Sequence, residues 1–280
     1  MTINLKLNKY KQGIADLYDK RSKSYDENSR LREICHCLFE YSQISSGQKV
    51  LDIGTGTGHL ALTASQVVGD SGQVVAVDIS PRMLEQARNK ARALGVNNLE
   101  FQHSDAESLD YPINYFDRIL CANTFPWMEN KKEALSLWCS FLKSGGRIAV
   151  HTPADTAYIG HILLRKVFAD HGISLAASNR IGSMKQCVNL FASAGFEEIE
   201  IKTEKYGSFS SLEKEKAAWS GTIVNSSSVY LKIHKDELSK LDSSELAQVK
   251  TKFYEELEVL ETEEGIWNEV VTWYVLGHKS

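Results

Sequence analysis

The sequence predicts an α/β fold, a doubly wound and mostly parallel seven-stranded sheet whose last strand runs antiparallel. Three observations predict it. Short apolar runs recur about 25 residues apart between residues 46 and 205, each followed by a helical pattern; this alternation produces βαβ units and a sheet covered on both faces. The first run leads into a glycine-rich turn and then directly into a helix. A closing run rich in aromatic and β-branched residues, EVVTWYVLGHK, returns after an insertion of some 60 residues and is expected to rejoin the same sheet.

In chain order, the first 45 or so residues read as a helical cap, with Ile34, Leu38 and Tyr41 at helical spacing. KVLDIG is the first strand and TGTGHLALTASQVV a turn and helix. QVVAVDI is the second strand, and SPRMLEQARNKARAL a helix with Ser80 as N-cap and Pro81 at its first position. NLEFQHSD and FDRILCAN are strands, KKEALSLWCSFLK a helix, GGRIAVHTP a strand, YIGHILLRKVFADHG a helix and GFEEIEIKTE a strand. The chain is thus expected to form one domain: a cap over 1–45, a core over 46–205 and 266–280, and a polar helical insertion over 206–265.

The composition narrows the possible functions. Of 280 residues, 42% are hydrophobic and 24% charged, enough for a sizeable core. Lys and Arg number 32 against 36 Asp and Glu, a net charge of −4, whereas a protein that neutralises nucleic-acid phosphates leans basic. No run approaches the roughly 20 apolar residues of a membrane span, and MTINLKLNKYKQ lacks the apolar centre of a signal peptide. Five cysteines are too few for a disulfide framework. A cytoplasmic protein with free thiols, and with no nucleic-acid partner, is expected.

The most informative stretch runs from Val50 to Leu60, where Gly54, Gly56 and Gly58 alternate between a strand and a helix. Glycines there let the backbone turn sharply and a ligand approach it closely. The dinucleotide fingerprint G-x-G-x-x-G would place its third glycine at position 59, which is His59. Asp52, two residues before the first glycine, opposes a pyrophosphate at the helix N-terminus and suits a ligand with a cationic amine or sulfonium. Asp78 ends the second strand 26 residues later, where an acid accepts both hydroxyls of a ribose or else caps the next helix. Asp105 follows after another 27 residues at the end of the third strand; it is either an acceptor for an exocyclic adenine amine or an ordinary loop residue. Three acids at successive strand ends mark the crevice where open α/β sheets bind ligands.

With VLDIGTGTGHLAL, VVAVDISPRMLEQAR, SDAESLDYPINYFDRILCAN and FLKSGGRIAV in that order, the sequence resembles the class I S-adenosylmethionine-dependent methyltransferases. It is similar in particular to the ubiquinone/menaquinone-biosynthesis branch (methyltransferase type 11). The resemblance covers about residues 15–205 and implies a Rossmann-like fold and S-adenosyl-L-methionine as cofactor. It implies that Gly54, Gly56 and Gly58 pass beneath the methionine part and that Asp52 helps hold its amino group. Asp78 would take the ribose hydroxyls, and Ile79 and Met83 would line the adenine. Asp105 and Ala106 would read the adenine edge, and Asn123 would face the methionine or the reacting methyl. YDKRSKSYDE looks like the family's tyrosine-bearing helix that closes over the cofactor, making Tyr18 and Tyr25 either cofactor contacts or core aromatics of the cap.

Methyl transfer from a sulfonium is an in-line displacement that mainly needs alignment and exclusion of water. A general base helps only where the acceptor is protonated at neutral pH; His151, ending the fifth strand, is the candidate, with local hydrogen bonding as its alternative role. Asn-Thr-Phe-Pro-Trp after the fourth strand is a broken form of the Asn-Pro-Pro-aromatic signature of adenine amino-group methyltransferases. The resemblance implies that the insertion over 206–265 is a lid over the acceptor, where Tyr206, Phe209, Trp219 and Tyr230 either line an apolar pocket or pack the subdomain. Cys35 and Cys37 lie two apart on a helix and so face different ways, and no metal-binding spacing is present; no metal is expected. The expected function is methylation of a small-molecule or peptide-like natural-product acceptor at oxygen or carbon. The alternatives are a nicotinamide-dependent oxidoreductase and a non-catalytic cofactor-binding module.

Overall fold

A computed structural model describes residues 5–154, 157–173, 181–219 and 238–280. The strands β1 (Lys49–Ile53), β2 (Gln73–Asp78), β3 (Leu99–His103), β4 (Phe116–Ala122), β5 (Leu142–Pro153), β6 (Glu197–Ser210) and β7 (Ile266–His278) form one seven-stranded sheet in the order β3-β2-β1-β4-β5-β7-β6. Neighbours from β3 across to β5 pair in parallel, and the last strand is antiparallel. β1 and β2 are buried along almost their whole length, as continuous apolar runs covered on both faces must be. β1 has β2 on one side and β4 on the other, so the order reverses there and a crevice opens beyond the carboxyl ends of these strands.

The predicted N-terminal helix is two helices, α1 (Lys9–Arg21) and α2 (Ser29–Ser42), separated by a single turn at Tyr25–Glu27. Asparagines start both: the side chain of Asn8 accepts from the Lys11 amide and that of Asn28 from the Arg30 amide, each satisfying an otherwise orphaned donor. Ile34 and Leu38 of α2 join a core cluster with Leu60, Ala64 and Val68 of α3 (His59–Val68), and with Val50 and Val74 of the sheet. In α4 (Pro81–Ala93), Ser80 caps by accepting from the Met83 amide and Pro81 occupies the first turn, as the sequence predicts.

α5 (Lys131–Phe141) passes directly into β5, so that strand begins three residues before the Gly145-Gly146 pair at which the sequence places its start. The early start is accommodated by a register irregularity against β4 between Phe116 and Arg118. α6 (Ile159–Ala169), α7 (Met184–Ser193), α8 (Leu212–Trp219) and α9 (Ser243–Glu258) complete the described helices.

The chain divides into two compact units, one of residues 1–152, 183–202 and 273–280 and the other of residues 153–182 and 203–272. The second unit has its own core, in which Leu164, Val167 and Phe168 of α6 meet Trp219 of α8 and Val249, Phe253 and Leu257 of α9. α6 thus belongs with the segment read as an insertion, although its sequence rhythm continues that of the sheet unit. Its periodicity shows that one face is buried but not against what. Trp219 is 2% exposed and stacks on Phe168 with ring centroids 5.8 Å apart, so it packs this unit. Phe209 lies edge-on to Trp267 at its surface, and the Tyr206 hydroxyl donates to Glu204. Tyr230 lies outside the described residues.

At the turn after β1, Gly54 has φ 69°, and a Cβ built there would overlap the side chain of Thr124, which follows β4. The left-handed conformation costs a side-chain-bearing residue about 1–2 kcal/mol, and overpacking about 1–3 more. Gly54→Ala should therefore lower the unfolding free energy by about 2–5 kcal/mol, read as a lower midpoint in denaturant titration.

Candidate functional site

A cleft of about 640 Å³ opens at the carboxyl ends of the sheet strands. Its floor is the turn after β1, with Gly54 and Gly56; Asp78 ends β2 and Ile79 follows it, Asp105 and Ala106 follow β3, and Asn123 follows β4. Tyr18 of α1 and Tyr25 of the next turn line it from the N-terminal segment. A second cavity of about 370 Å³ adjoins it, sharing Tyr25, Gly54, Gly56 and Asn123 and adding Asp52, Thr55, Leu31 and Cys35. Cys37 lines neither, as two helical residues with divergent directions should behave. Asn123 is held at φ 56°, a conformation that asparagine tolerates better than most residues, on the wall common to the two cavities.

The three acids occupy different chemical settings. Asp52 is fully buried, and among the described residues neither of its oxygens has a partner at hydrogen-bonding geometry. Burial, with some help from the nearby Asp78 charge and against loose approaches of the Thr55 hydroxyl and the Ala61 amide, pushes its carboxyl up to about 7. Asp78 accepts from the Gly56 amide at 2.8 Å and from the Ser80 amide at 2.8 Å. Burial pushes it up to about 6 against the pull of those amides. Since Ser80 itself caps α4, Asp78 is not the helix cap; it braces the glycine turn. Asp105 accepts from the Glu107 amide at 3.0 Å and from Lys11 Nζ at 2.6 Å.

Charged groups of the N-terminal segment, not among the residues expected from the sequence, complete the site. Lys11 also lies 2.8 Å from Glu107. Asp19 accepts from the Ser80 hydroxyl and the Arg82 amide at the start of α4. Asp26 takes the Thr57 hydroxyl, His59 at 3.0 Å and Lys90 at 2.6 Å, so His59 is used to hold the segment over the turn. Trp127 donates to the Tyr18 hydroxyl at 3.0 Å and lines the same cleft. These pairings join residues 31 to 109 positions apart, which no local pattern reveals. The one local signal is Lys11 itself, a cation in the first turn of a helix, where the dipole disfavours it.

Three predicted residues stand apart from the cleft lining. Gly58 faces α4, where a Cβ would lie 3.0 Å from that of Ala87; it serves close helix packing. Met83 is 1% exposed within α4 and lines neither cavity. His151 is 1% exposed on β5, with its ring 5.0 Å from that of Tyr274, and lines neither cavity. Burial pulls its imidazole down to about 3, which makes it a weak proton acceptor.

This donor set selects the ligand. A buried carboxylate without a partner is costly unless a cation meets it. The Gly56 amide, which a dinucleotide's pyrophosphate would use, is already committed to Asp78. A nucleoside with a cationic amino acid and no phosphate fits, and S-adenosyl-L-methionine is such a molecule. Residues to hold its adenosine and amino-acid ends are present in the two adjoining cavities.

Comparison with known proteins agrees. A family model described as a methyltransferase domain matches residues 44–186. Ubiquinone/menaquinone biosynthesis C-methyltransferase UbiE of Edwardsiella ictaluri is 38% identical over 173 residues, 56% of this chain and 69% of that protein. UbiE of Pseudomonas entomophila matches over 49% of this chain, which spans 56% of that relative. Aklanonic acid methyltransferase DauC of a Streptomyces species is 31% identical over 53% of this chain and 68% of its own length. Among solved structures, the cyclase SpnF shares the fold with a TM-score of 0.60 at 17% identity, over 99% of both chains. On these findings the chain belongs to the class I S-adenosyl-L-methionine-dependent methyltransferases and is related to their UbiE branch.

Proposed function

We propose that the protein methylates a small organic acid, at carbon or oxygen, whose nucleophilic atom is already ionised at neutral pH: an enolised dicarbonyl, a phenol of lowered pKa or a carboxylic acid. The observation that carries this reading is the wall shared by the two cavities, where in this reading the adenosine and amino-acid ends meet. It consists of Tyr25, Gly54, Gly56 and Asn123, and none of these is a base at neutral pH; burial raises the Tyr25 phenol well above its ordinary value. An acceptor that ionises by itself needs no base. The names of the relatives support the class, since UbiE is called a C-methyltransferase and DauC acts on an acid.

S-adenosyl-L-methionine supplies an electrophilic methyl group and a neutral thioether as leaving group. In this reading Asp52 receives its amino group, Asp78 the ribose hydroxyls, and Asp105 with Ala106 the adenine edge. Ile79 flanks the base, and Tyr25 lies over Gly56, 3.7 Å from where a Cβ would project, closing the cleft against water. Tyr18 and Trp127, in edge contact with centroids 6.1 Å apart, give the mouth an aromatic surface for a flat acceptor. With these groups in place the chain's contribution is alignment and dryness.

Two measurements test the reading. Asp52 in the free protein has a carboxyl at about 7 against an ordinary 3.8, so the free fold is favoured with this proton bound and loses that contribution as pH rises towards 7. A bound ammonium favours the carboxylate instead, so binding releases the proton. Calorimetry should show S-adenosylhomocysteine affinity falling by roughly tenfold per pH unit below about pH 7. Asp52→Asn should flatten that dependence while weakening binding at neutral pH by roughly tenfold or more. An unchanged profile in Asp52→Asn removes the amino-group assignment.

The second measurement follows methyl-labelled cofactor into a panel of enolisable, phenolic, carboxylic, aliphatic-alcohol and amine acceptors, with products identified by mass spectrometry. Label should enter the acidic acceptors, with a rate that rises through the acceptor's own pKa. His151→Gln should keep kcat within about tenfold, where loss of a general base costs about 10²–10⁴. Preferential labelling of amines or of aliphatic alcohols refutes the proposal.

A further inference from the structure

We propose that Lys11 is a positioning residue for adenine recognition: its ammonium orients the Asp105 carboxylate as the acceptor for the exocyclic amine. The inference rests on the reading that Asp105 faces that amine.

Lys11 lies 2.6 Å from Asp105 Oδ2 and 2.8 Å from Glu107 Oε2, with Glu129 at 3.9 Å, and its side chain is 13% exposed. Lys11, Asp105 and Glu107 all line the cleft. Among the described residues no other cation pairs with either carboxylate. The rest of the cluster is braced by main chain: Asp105 Oδ1 accepts from the Glu107 amide, and Glu107 accepts from the amides of Asn130 at 2.6 Å and Glu129 at 3.2 Å. The carboxylates are therefore fixed in place, and one ammonium serves both.

Helix formation does not account for this lysine. It is the third residue of α1, which has no acid in its first turn, and a cation there opposes the helix dipole. The acids that compensate it come from the far side of the cleft. Burial by itself would lower the Lys11 ammonium, but its bonds to Asp105 and Glu107 leave it raised and charged.

The chemical consequence concerns Asp105. With Oδ2 on the Lys11 ammonium and Oδ1 on the Glu107 amide, the carboxylate is held in one orientation at the cleft. Lys11 draws on only part of the carboxylate's capacity of about four lone-pair sites, so acceptor sites remain for the amine. Docking of α1 and reading of the adenine edge thus meet at one carboxylate.

The test is a double-mutant cycle read by calorimetry with two ligands, S-adenosylhomocysteine and S-inosylhomocysteine, whose base carries a carbonyl oxygen in place of the amine. Lys11→Met should weaken S-adenosylhomocysteine by about tenfold and change S-inosylhomocysteine by less than about twofold, and Lys11→Arg should restore most of the loss. In an Asp105→Asn background the same Lys11→Met change should have an effect below about twofold, because the group through which Lys11 acts is gone. Lys11→Gln gives the same ligand selectivity where Lys11→Met folds poorly. Equal weakening of both ligands, or an undiminished effect in the Asp105→Asn background, overturns the proposal. Failure of the wild-type protein to bind S-adenosylhomocysteine at all would instead overturn the cofactor assignment beneath it.

Discussion

The buried carboxylate of Asp52 governs the arrangement of the whole cleft. In the ladder it stands opposite Ala76 of β2 and Leu120 of β4, so its flanks are apolar and no neighbouring strand supplies a donor. An unpartnered charge in such a place costs several kcal/mol, and the free protein relieves part of that by keeping the proton on to about pH 7. The glycine turn then leads the backbone aside, leaving a cavity in front of the acid. A fold that needed only a tight loop would have no reason to keep a carboxylate here. A fold that must recognise a cationic amino acid has one.

Around this point the N-terminal segment is held by charge at three places, each next to a residue of the cleft. Lys11 meets the acids after β3, Asp19 the start of α4, and Asp26 the start of α3. Partly exposed ion pairs contribute little one at a time. Here they are spread along a single segment and joined by the contact of Tyr18 with Trp127, so the segment is fixed over the cleft by their sum. The same side chains that order it also orient the turn: Thr57 and His59 are bound to Asp26, and Ser80 is shared between Asp19 and Asp78.

The wall shared by the two cavities carries no imidazole. His151, the candidate base expected from the sequence, is sealed in the sheet unit beside Tyr274 and held neutral by burial. Solved structures that share this fold include a methyltransferase and a protein described as a cyclase, as expected when function resides in sites grafted onto a common fold. The second unit spends its large residues on its own core, with Phe168, Trp219 and Phe253 packed together. Its aromatic content therefore reflects stability at least as much as recognition.

The sequence by itself determined the sheet and the floor of the site. Buried parallel strands must be continuous apolar runs, turns that admit a ligand need glycine, and acids at strand ends fall on one crevice; all three are local properties. Hence Gly54, Gly56, Asp78, Asp105 and Asn123 were legible at their positions, as were the Ser80 cap and the antiparallel last strand. Tertiary structure alone decided which partner each charge takes and which core each helix joins. The pairs Lys11 with Asp105, Asp19 with Ser80 and Asp26 with Lys90 span 94, 61 and 64 positions, and Coulomb attraction leaves no mark on spacing along the chain. For the same reason α6 could be recognised as an amphipathic helix but not assigned to the second unit. Met83 and His151 also sit at positions of the expected kind, yet their side chains turn into the protein. A side chain's direction depends on the elements packed against its own, and these come together only in the folded molecule.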